Sequence, residues 1–299
     1  MIEISRLSKR YGRTTAVDDV SFTARPGRVT GFLGPNGAGK SSTLRVLLGL
    51  DAPTSGTALI DGKRYRDLSH PLRTVGALLD GAGPVPERRA VDHLAWIARS
   101  NRIPRTRVAE VLDLVGLAGA ARGRVKTFSL GMARRLGIAA ALLGDPRVLV
   151  LDEPVNGLDP AGIRWIRQLL RDHAAAGRTV LLSSHLMTET ADTADDVVVI
   201  NRGRIVTQGS LAEVTEGYAS LEAAFFALTA TRRGRGGERR AGRDPGRNDQ
   251  NRHAARRVDS HREHHRPAGV RSLPPGGADR RGGGDHRPGR SHRDLHRSA

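Results

Sequence analysis

The segment GPNGAGKS at residues 34–41 has the glycine spacing and the lysine–serine ending of a phosphate-binding loop. It follows an apolar β-rich run and opens a helical pattern, which is the context that such a loop needs. Glycines let successive N–H groups converge on an anion, and the helix N-terminus adds partial positive charge. Lys40 would reach the β- and γ-phosphates, and the Ser41 hydroxyl would bind Mg²⁺. The residues expected around the phosphates are Gly34, Pro35, Asn36, Gly37, Ala38, Gly39, Lys40, Ser41 and Ser42.

A second group of chemically active residues is the carboxylate pair that ends the apolar run VLVLDE at 148–153. Charges at the end of a buried strand lie at the carboxyl edge of the sheet, where open α/β folds bind ligands. We expect Asp152 to hold magnesium, directly or through water, and Glu153 to act as general base on an attacking water. Alone, such a pair is more often a solvated loop or a helix cap, but the phosphate-binding loop favours the catalytic interpretation.

The stretch FSLGM at 128–132 places Ser129 and Gly131 ahead of an apolar periodic segment. A serine there is typical of an ordinary helix N-cap, which contributes about 1 kcal/mol. A hydroxyl and a glycine at a helix N-terminus also suit an anion, because the hydroxyl donates a hydrogen bond and glycine permits close backbone approach. Both interpretations use the same geometry.

Alternating strands and helices must position these residues. Apolar β-rich runs occur at 29–34, 147–153, 178–184 and 196–201. Helical patterns alternate with them at about 40–49, 91–99, 107–115, 130–143, 160–175 and 186–194. The alternation predicts an α/β fold with a mostly parallel sheet and helices on its faces.

Composition narrows the class of protein. The chain has 299 residues and no cysteine, which excludes a disulfide framework and a cysteine-based metal site. No apolar run approaches the roughly 18–20 residues that span a bilayer, and MIEISRLSKRYG lacks the apolar core of a signal peptide. We therefore expect any membrane role to depend on a partner.

The net charge of +18 is concentrated late in the chain. Residues 231–299 contain 19 arginines, no lysine, eight acidic residues and no aromatic residue. Such a segment cannot bury enough apolar surface to offset the entropy of ordering, so we expect a folded domain over 1–230 and a disordered tail over 231–299. A polycationic arm for nucleic acid or anionic lipid is one interpretation of the tail. Its composition favours a frameshift-derived segment instead, and nucleic acid is not an expected partner.

Over residues 1–230 the chain resembles the nucleotide-binding subunit of an ATP-binding cassette (ABC) transporter. Besides the phosphate-binding loop and the carboxylate pair, five stretches match the family pattern in its order. They are Tyr11 in LSKRYG, VGALLDG at 75–81, the signature FSLGM at 128–132, NGLD at 156–159, and His185 in LLSSH. The resemblance implies a P-loop NTPase core, an N-terminal antiparallel β-subdomain and an inserted helical subdomain at about 84–145.

The resemblance also implies roles and partners. Tyr11 would stack on adenine, His185 would act as a catalytic residue that senses the γ-phosphate, and residues 75–81 would form the loop between subdomains. Two cassettes, identical or different, would face each other head to tail, so that Ser129 and Gly131 contact the nucleotide of the other chain. The implied activity is hydrolysis of ATP with Mg²⁺, coupled to transport by a separate membrane permease at the cytoplasmic face of the membrane.

Two departures from the family pattern bear on function. The commonest signature is Leu-Ser-Gly-Gly-Gln, whereas this chain has Leu130 and Met132 in place of the first glycine and the glutamine. A Ser-Leu-Gly-Met core resembles the branch of bacterial exporters linked to antibiotic and multidrug resistance. Asp80 replaces the usual metal-contacting glutamine between the subdomains. It can still accept a hydrogen bond from a metal-bound water, but it is shorter and adds charge.

Leu94 and Ile97 share one face of the amphipathic segment 90–100. In the family, this region docks a cytoplasmic helix of the membrane subunit, and the same two residues suit an ordinary core face equally well.

The leading functional hypothesis is the ATPase subunit of an exporter, in which ATP binding closes a cassette dimer and hydrolysis reopens it. A soluble ABC ATPase acting on ribosomes or DNA is the second, although the single cassette and the lack of heptads disfavour it. A nucleotide switch is the third, and the chain lacks the Asn-Lys-x-Asp motif of switch GTPases.

Overall fold

A six-stranded sheet forms the centre of the fold in a computed structural model, which describes residues 1–79 and 83–234. Across the sheet the strands are β5 (Val75–Leu78), β6 (Val148–Asp152), β7 (Thr179–Ser184), β3 (Val29–Leu33), β8 (Asp196–Asn201) and β9 (Arg204–Ser210). The first five are parallel, and β9 is antiparallel to β8. The structure therefore confirms the α/β fold with a mostly parallel sheet.

The central strands explain why chemically active residues converge. Every residue of β3, β6 and β7 is buried, as in parallel sheets that are covered on both faces. Parallel pairing sets Asp152 opposite Ser183, so the carboxyl ends of these strands lie side by side. The residues that follow the three strands, Gly34, Glu153 and His185, therefore meet at one edge of the sheet.

A second, antiparallel sheet lies in the N-terminal part. Its strands are β1 (Ile2–Tyr11), β2 (Thr14–Ala24) and β4 (Ser55–Ile60), in the order β2-β1-β4. Ile4 and Leu7 are buried and belong to the same core cluster as the apolar side of helix α1 (Lys40–Leu47). This is the antiparallel subdomain implied by the resemblance. Strict alternation does not reveal β1, because its pairing register shifts between Ile4 and Leu7.

Helices flank both sheets. After α1 they are α2 (Pro71–Thr74), α3 (Ala90–Ser100), α4 (Thr106–Leu114), α5 (Leu130–Leu142), α6 (Pro160–Ala175), α7 (Met187–Ala191), α8 (Leu211–Thr215) and α9 (Leu221–Gly234). All the helices predicted from periodicity are present, with ends that differ by a few residues at most. In the described part of the chain, no helix has the length and apolar character needed to cross a bilayer.

The prediction of a loop over 75–81 is wrong for its first part. Val75–Leu78 is strand β5, which pairs with β6 along its length and buries both of its end residues. The cause is tertiary: an apolar segment beside β6 gains both a hydrogen-bonded ladder and burial. Asp80 lies outside the described residues.

The apolar face of α3 belongs to the protein core. Leu94 is fully buried, and Ile97 packs against the same cluster while partly buried. The structure thus places both residues in the core, which was one of the two interpretations of this segment. Trp96 on the same helix is 57% exposed, and the Arg88 guanidinium lies 4.9 Å from its ring centroid.

We expect His173, in the last turn of α6, to make the free energy of unfolding depend on pH. Burial, and then the charge of Arg178, lowers its pKa from 6.5 to about 4, while Asp145 opposes the shift. Below its ordinary pKa the unfolded chain binds a proton here, but the folded chain does so only near pH 4. The free energy of unfolding should therefore fall as pH drops through this window.

Replacing His173 by leucine should flatten that dependence. The ring nitrogen Nε2 is buried without a hydrogen-bond partner among the described residues, so an apolar side chain of similar size loses little there. Urea unfolding of the full chain at about pH 7 and about pH 4.5 measures the slope. An equally steep loss in His173→Leu would show that other groups cause it.

Candidate functional site

The phosphate-binding loop packs too closely against both sheets for larger side chains. A Cβ on Gly34 would lie 2.3 Å from the carbonyl oxygen of Ile200, and one on Gly39 would lie 2.5 Å from that of Ala16. Gly39 also has φ of +110°, in the region that favours glycine. Glycine at these two positions therefore lets residues 34–39 turn sharply from β3 into α1.

The Lys40 side chain folds back into this loop. It is 5% exposed, and its Nζ donates to the carbonyl oxygens of Gly34 at 2.7 Å and Pro35 at 3.4 Å. The same nitrogen lies 3.5 Å from Oε1 of Glu153. One cation thus joins two motifs that lie far apart in the sequence.

Asp152 is the centre of a small group of oxygen atoms at the end of β6. It is 1% exposed, and its Oδ2 accepts a hydrogen bond from the Ser41 hydroxyl at 2.8 Å. Its Oδ1 accepts from the hydroxyl of Ser183 on the neighbouring strand β7. No motif in the sequence indicates Ser183, although its position opposite Asp152 follows once β6 and β7 are known to be neighbours.

This donor set fits magnesium better than a softer metal. Mg²⁺ prefers oxygen ligands and is commonly bound through one or two protein groups, with waters and substrate phosphates completing the octahedron. Among residues 1–79 and 83–234, no cluster of three or more His, Cys, Asp and Glu side chains could hold a metal alone. The Ser41 hydroxyl and the Asp152 carboxylate therefore suit an ion whose other ligands come from a phosphate and from water.

Glu153 is held between two nitrogen groups. Its Oε2 lies 2.8 Å from Nδ1 of His185, and its Oε1 faces the Lys40 amine described above. Glu153 has φ of +51°, which is uncommon for a residue other than glycine, and its N–H donates to the Ser183 carbonyl at 3.1 Å. The structure thus brings Glu153 together with Lys40, His185 and the adjacent Asp152.

Ser129 is the N-cap of α5. Its hydroxyl oxygen accepts a hydrogen bond from the Met132 N–H at 3.2 Å, so the capping interpretation is correct as far as it goes. A Cβ on Gly131 would lie 3.1 Å from the Gly157 carbonyl oxygen, so the signature packs against the loop 156–159 of its own chain. Within the described residues, no hydrogen bond or ion pair joins Ser129 to the phosphate-binding loop.

The exposed Leu130 lies on the same surface. It is 68% exposed, and a Cβ on Gly157 would fall 2.5 Å from its side chain. The loop is fixed further by Asp159, which caps α6 by accepting from the Gly162 N–H at 2.8 Å, with Pro160 in the first turn. The signature and this loop therefore form one continuous surface.

Tyr11, at the end of β1, lies beside α1 and is 45% exposed. Its hydroxyl donates to Asp51 at 2.6 Å. Arg45 and then Tyr11 lower the pKa of Asp51 to about 2, because both donate to the carboxylate. No motif in the sequence indicates Asp51, since nothing in its local sequence distinguishes it from a loop residue after a helix.

Comparisons with known proteins agree with this geometry. A family model described as ABC transporter matches residues 17–156. The lantibiotic transport ATP-binding protein SrtF of Streptococcus pyogenes is 35% identical over 227 residues, which cover 75% of this chain and 96% of that protein. The bacitracin transport ATP-binding protein BcrA of Bacillus licheniformis is 39% identical over 211 residues, which cover 70% of this chain and 69% of that protein.

A solved structure of an ATP binding subunit of an ABC transporter has a TM-score of 0.69 and 28% identity, covering 77% of this chain and 99% of that one. The fold, the geometry of the motifs and the sequence identity, which extends over more than two thirds of each relative's length, therefore indicate the same family. The chain belongs to the ABC transporter family as an ATP-binding subunit with ATPase activity.

Proposed function

We propose that Glu153 is the general base for ATP hydrolysis at the carboxyl edge of the main sheet. The observation that carries this proposal is the position of its carboxylate between Lys40 Nζ and His185 Nδ1, next to the phosphate-binding loop. A carboxylate there can accept a proton from water attacking the γ-phosphate, while Lys40 neutralises charge on the phosphate oxygens. Because Nδ1 of His185 is engaged by Glu153, Nε2 is the nitrogen proposed to contact the γ-phosphate.

Ser41 and Asp152 are the proposed magnesium ligands, and the oxygen donor set supports this. Ser41 and Asp152 would hold the ion beside the phosphates, where it would supply positive charge against the charge that develops on their oxygens. Ser183 would orient Asp152 by its hydrogen bond to the second carboxylate oxygen. A contact from Asp80 to the metal remains a proposal from the sequence.

Ser129 and Gly131 are proposed to bind the nucleotide of a second cassette. Cassettes of this family dimerise and act with membrane permeases. Support comes from their place at the N-terminus of α5, together with the exposed Leu130 on the same surface. A partner cassette that covered this surface would bury Leu130 and present its own phosphates to the helix N-terminus.

The folded cassette is proposed to comprise residues 1–230, with the helical subdomain at about 84–145 formed around α3, α4 and α5. The relatives' matches, which cover 70–75% of this chain, support that extent. Helix α9 continues to Gly234, so a truncated protein should keep that residue. Residues 235–299 lie outside the described part of the chain.

The proposed process is efflux of an antibiotic-like compound through a separate permease, with this chain at the cytoplasmic face of the membrane. The relatives named for lantibiotic and bacitracin transport support it over the ribosome, DNA and switch alternatives. No compound is assigned, because a subunit of this kind does not line the transport pathway.

Copurification tests the partner. When the tagged full-length chain is isolated from detergent-solubilised membranes of its source organism, we expect an integral membrane protein to copurify, because cassettes of this family act with permeases. A high-salt wash of the membranes controls for electrostatic adsorption of a chain with net charge +18. Recovery with ribosomes or DNA, and without a membrane protein, would support the soluble alternative instead.

A further inference from the structure

The hydroxyl of Tyr11 is tied to a carboxylate that belongs to none of the motifs. Tyr11 Oη donates to Oδ2 of Asp51 at 2.6 Å, and the same oxygen accepts from Nε of Arg45 at 2.8 Å. Nη2 of Arg45 lies 3.4 Å from Oδ1. Arg45 belongs to α1, the helix that begins with Lys40. The side chains of Tyr11, Asp51 and Arg45 therefore link the ring that is proposed to stack on adenine to the helix that follows the phosphate-binding loop.

These contacts are charge-assisted. The Asp51 carboxylate is ionised throughout the physiological range, because Arg45 and Tyr11 hold its pKa near 2. The pKa of Tyr11 is raised, chiefly because its proton is held by Asp51, so the phenol remains a donor. Hydrogen bonds to charged groups are roughly twice as strong as neutral ones. The ring of Tyr11 is thus held in place although nearly half of the side chain is exposed.

Lys9 covers one face of the same ring. Its Nζ lies 4.7 Å from the ring centroid and donates to the Ala52 carbonyl oxygen at 2.7 Å. The Ala52 contact connects Lys9 to the segment that carries Asp51. With one face occupied by a cation, the opposite face of Tyr11 is the one available to a flat base.

We infer that Asp51 is a positioning residue for nucleotide binding, which fixes Tyr11 at a set distance from the phosphate-binding loop. The inference rests on the proposed role of Tyr11 in stacking on adenine. A platform that is already in place loses less conformational freedom when base and phosphates bind together. Asp51 should therefore increase the affinity for ligands that carry the base. It should have no effect on the affinity for ligands that carry phosphate alone.

Binding measurements on the full chain test this. MgADP carries the base and is not hydrolysed, so calorimetry gives its Kd; magnesium pyrophosphate lacks the base, and competition gives its Kd. Tyr11→Phe keeps the ring and removes the hydroxyl, and Asp51→Ala removes its acceptor. Each should weaken ADP binding by about 3- to 10-fold and leave pyrophosphate binding unchanged. The double variant should bind ADP no more weakly than Asp51→Ala alone, because Asp51→Ala already removes the hydrogen bond that Tyr11→Phe removes.

Asp67→Ala is the matched control, since Asp67 is an exposed acid whose carboxylate lies 3.7 Å from Arg66. It should bind ADP like the unaltered chain. If ADP affinity were unchanged in Tyr11→Phe and Asp51→Ala while Lys40→Ala still weakened ADP binding, the inference about Asp51 would be wrong. The proposed nucleotide site would not be affected by that result. Equal losses for ADP and pyrophosphate, or additive losses in the double variant, would also overturn the inference about Asp51.

Two further results keep the test decisive. If Lys40→Ala itself does not weaken ADP binding, the proposed nucleotide site is wrong and this inference fails with it. If Asp51→Ala does not fold, Asp51→Asn and Tyr11→Phe take its place. The asparagine keeps an acceptor without the charge, so its ADP affinity should lie between those of the unaltered chain and Tyr11→Phe.

Discussion

Replacing Glu153 by glutamine should slow ATP hydrolysis by at least about 100-fold while MgATP still binds. The amide keeps the size of the carboxylate but cannot take a proton from the attacking water. Binding should be as tight or tighter, because Lys40 Nζ would no longer share its charge with a carboxylate 3.5 Å away. Phosphate release at saturating MgATP measures turnover, and equilibrium titration measures affinity.

Two variants make this result specific. Glu110→Gln alters an exposed carboxylate that pairs with Arg107 at 2.7 Å, and it should hydrolyse ATP at the rate of the unaltered chain. Lys40→Ala should weaken binding itself, because it removes the cation held inside the loop. If Glu153→Gln turned over ATP at a nearly unaltered rate, Glu153 would not be the base, and His185 would become the residue to test.

The main sheet is predictable because the residue pattern of its central strands indicates burial on both faces. The runs at 29–34, 147–153 and 178–184 are β-rich and mostly apolar, and the structure buries every residue of β3, β6 and β7. The rule that ligands bind at the carboxyl ends of such strands then places Gly34 and Glu153 at one edge without further information.

Two of the elements that periodicity missed have patterns that are broken or short. Strand β1 shifts register between Ile4 and Leu7, and β5 has only four residues, whose pairing with β6 decides its conformation. Ser183 and Asp51 were missed for a related reason. Each gains its place through a residue distant in sequence, Asp152 or Tyr11, and contacts of that kind have no local pattern.

In the described part of a single chain, Ser129 has the role of a helix N-cap. Its hydroxyl caps α5, which any helix could use, and nothing in the described part of a single chain connects it with the phosphate-binding loop. The capping role therefore explains the residue type without assigning a function. Variants that separate capping from phosphate binding are needed to tell the two apart.

Replacing Ser129 by arginine should abolish ATP-dependent dimerisation and leave the nucleotide affinity of the monomer nearly unchanged. Ser129 is exposed, so the monomer tolerates the larger side chain and loses about 1 kcal/mol of helix capping. In a dimer the arginine would occupy the space where the helix N-terminus must approach a phosphate. Light scattering in a Glu153→Gln background, with and without MgATP, reports the dimer; a fluorescent nucleotide titration reports monomer affinity.

Ser129→Asp separates the two roles of the hydroxyl. Aspartate caps a helix as well as serine does, so thermal stability should be retained, but its negative charge would oppose a phosphate across the interface. We therefore expect dimers to be lost in Ser129→Asp although the fold is as stable as before. Ser100→Arg, at the exposed end of α3, is the matched control for bulk and charge and should still dimerise. If both Ser129 variants still formed dimers, Ser129 would act as a helix cap alone. If they lowered the nucleotide affinity of the monomer as far as Lys40→Ala does, residues 128–132 would contact the nucleotide of their own chain.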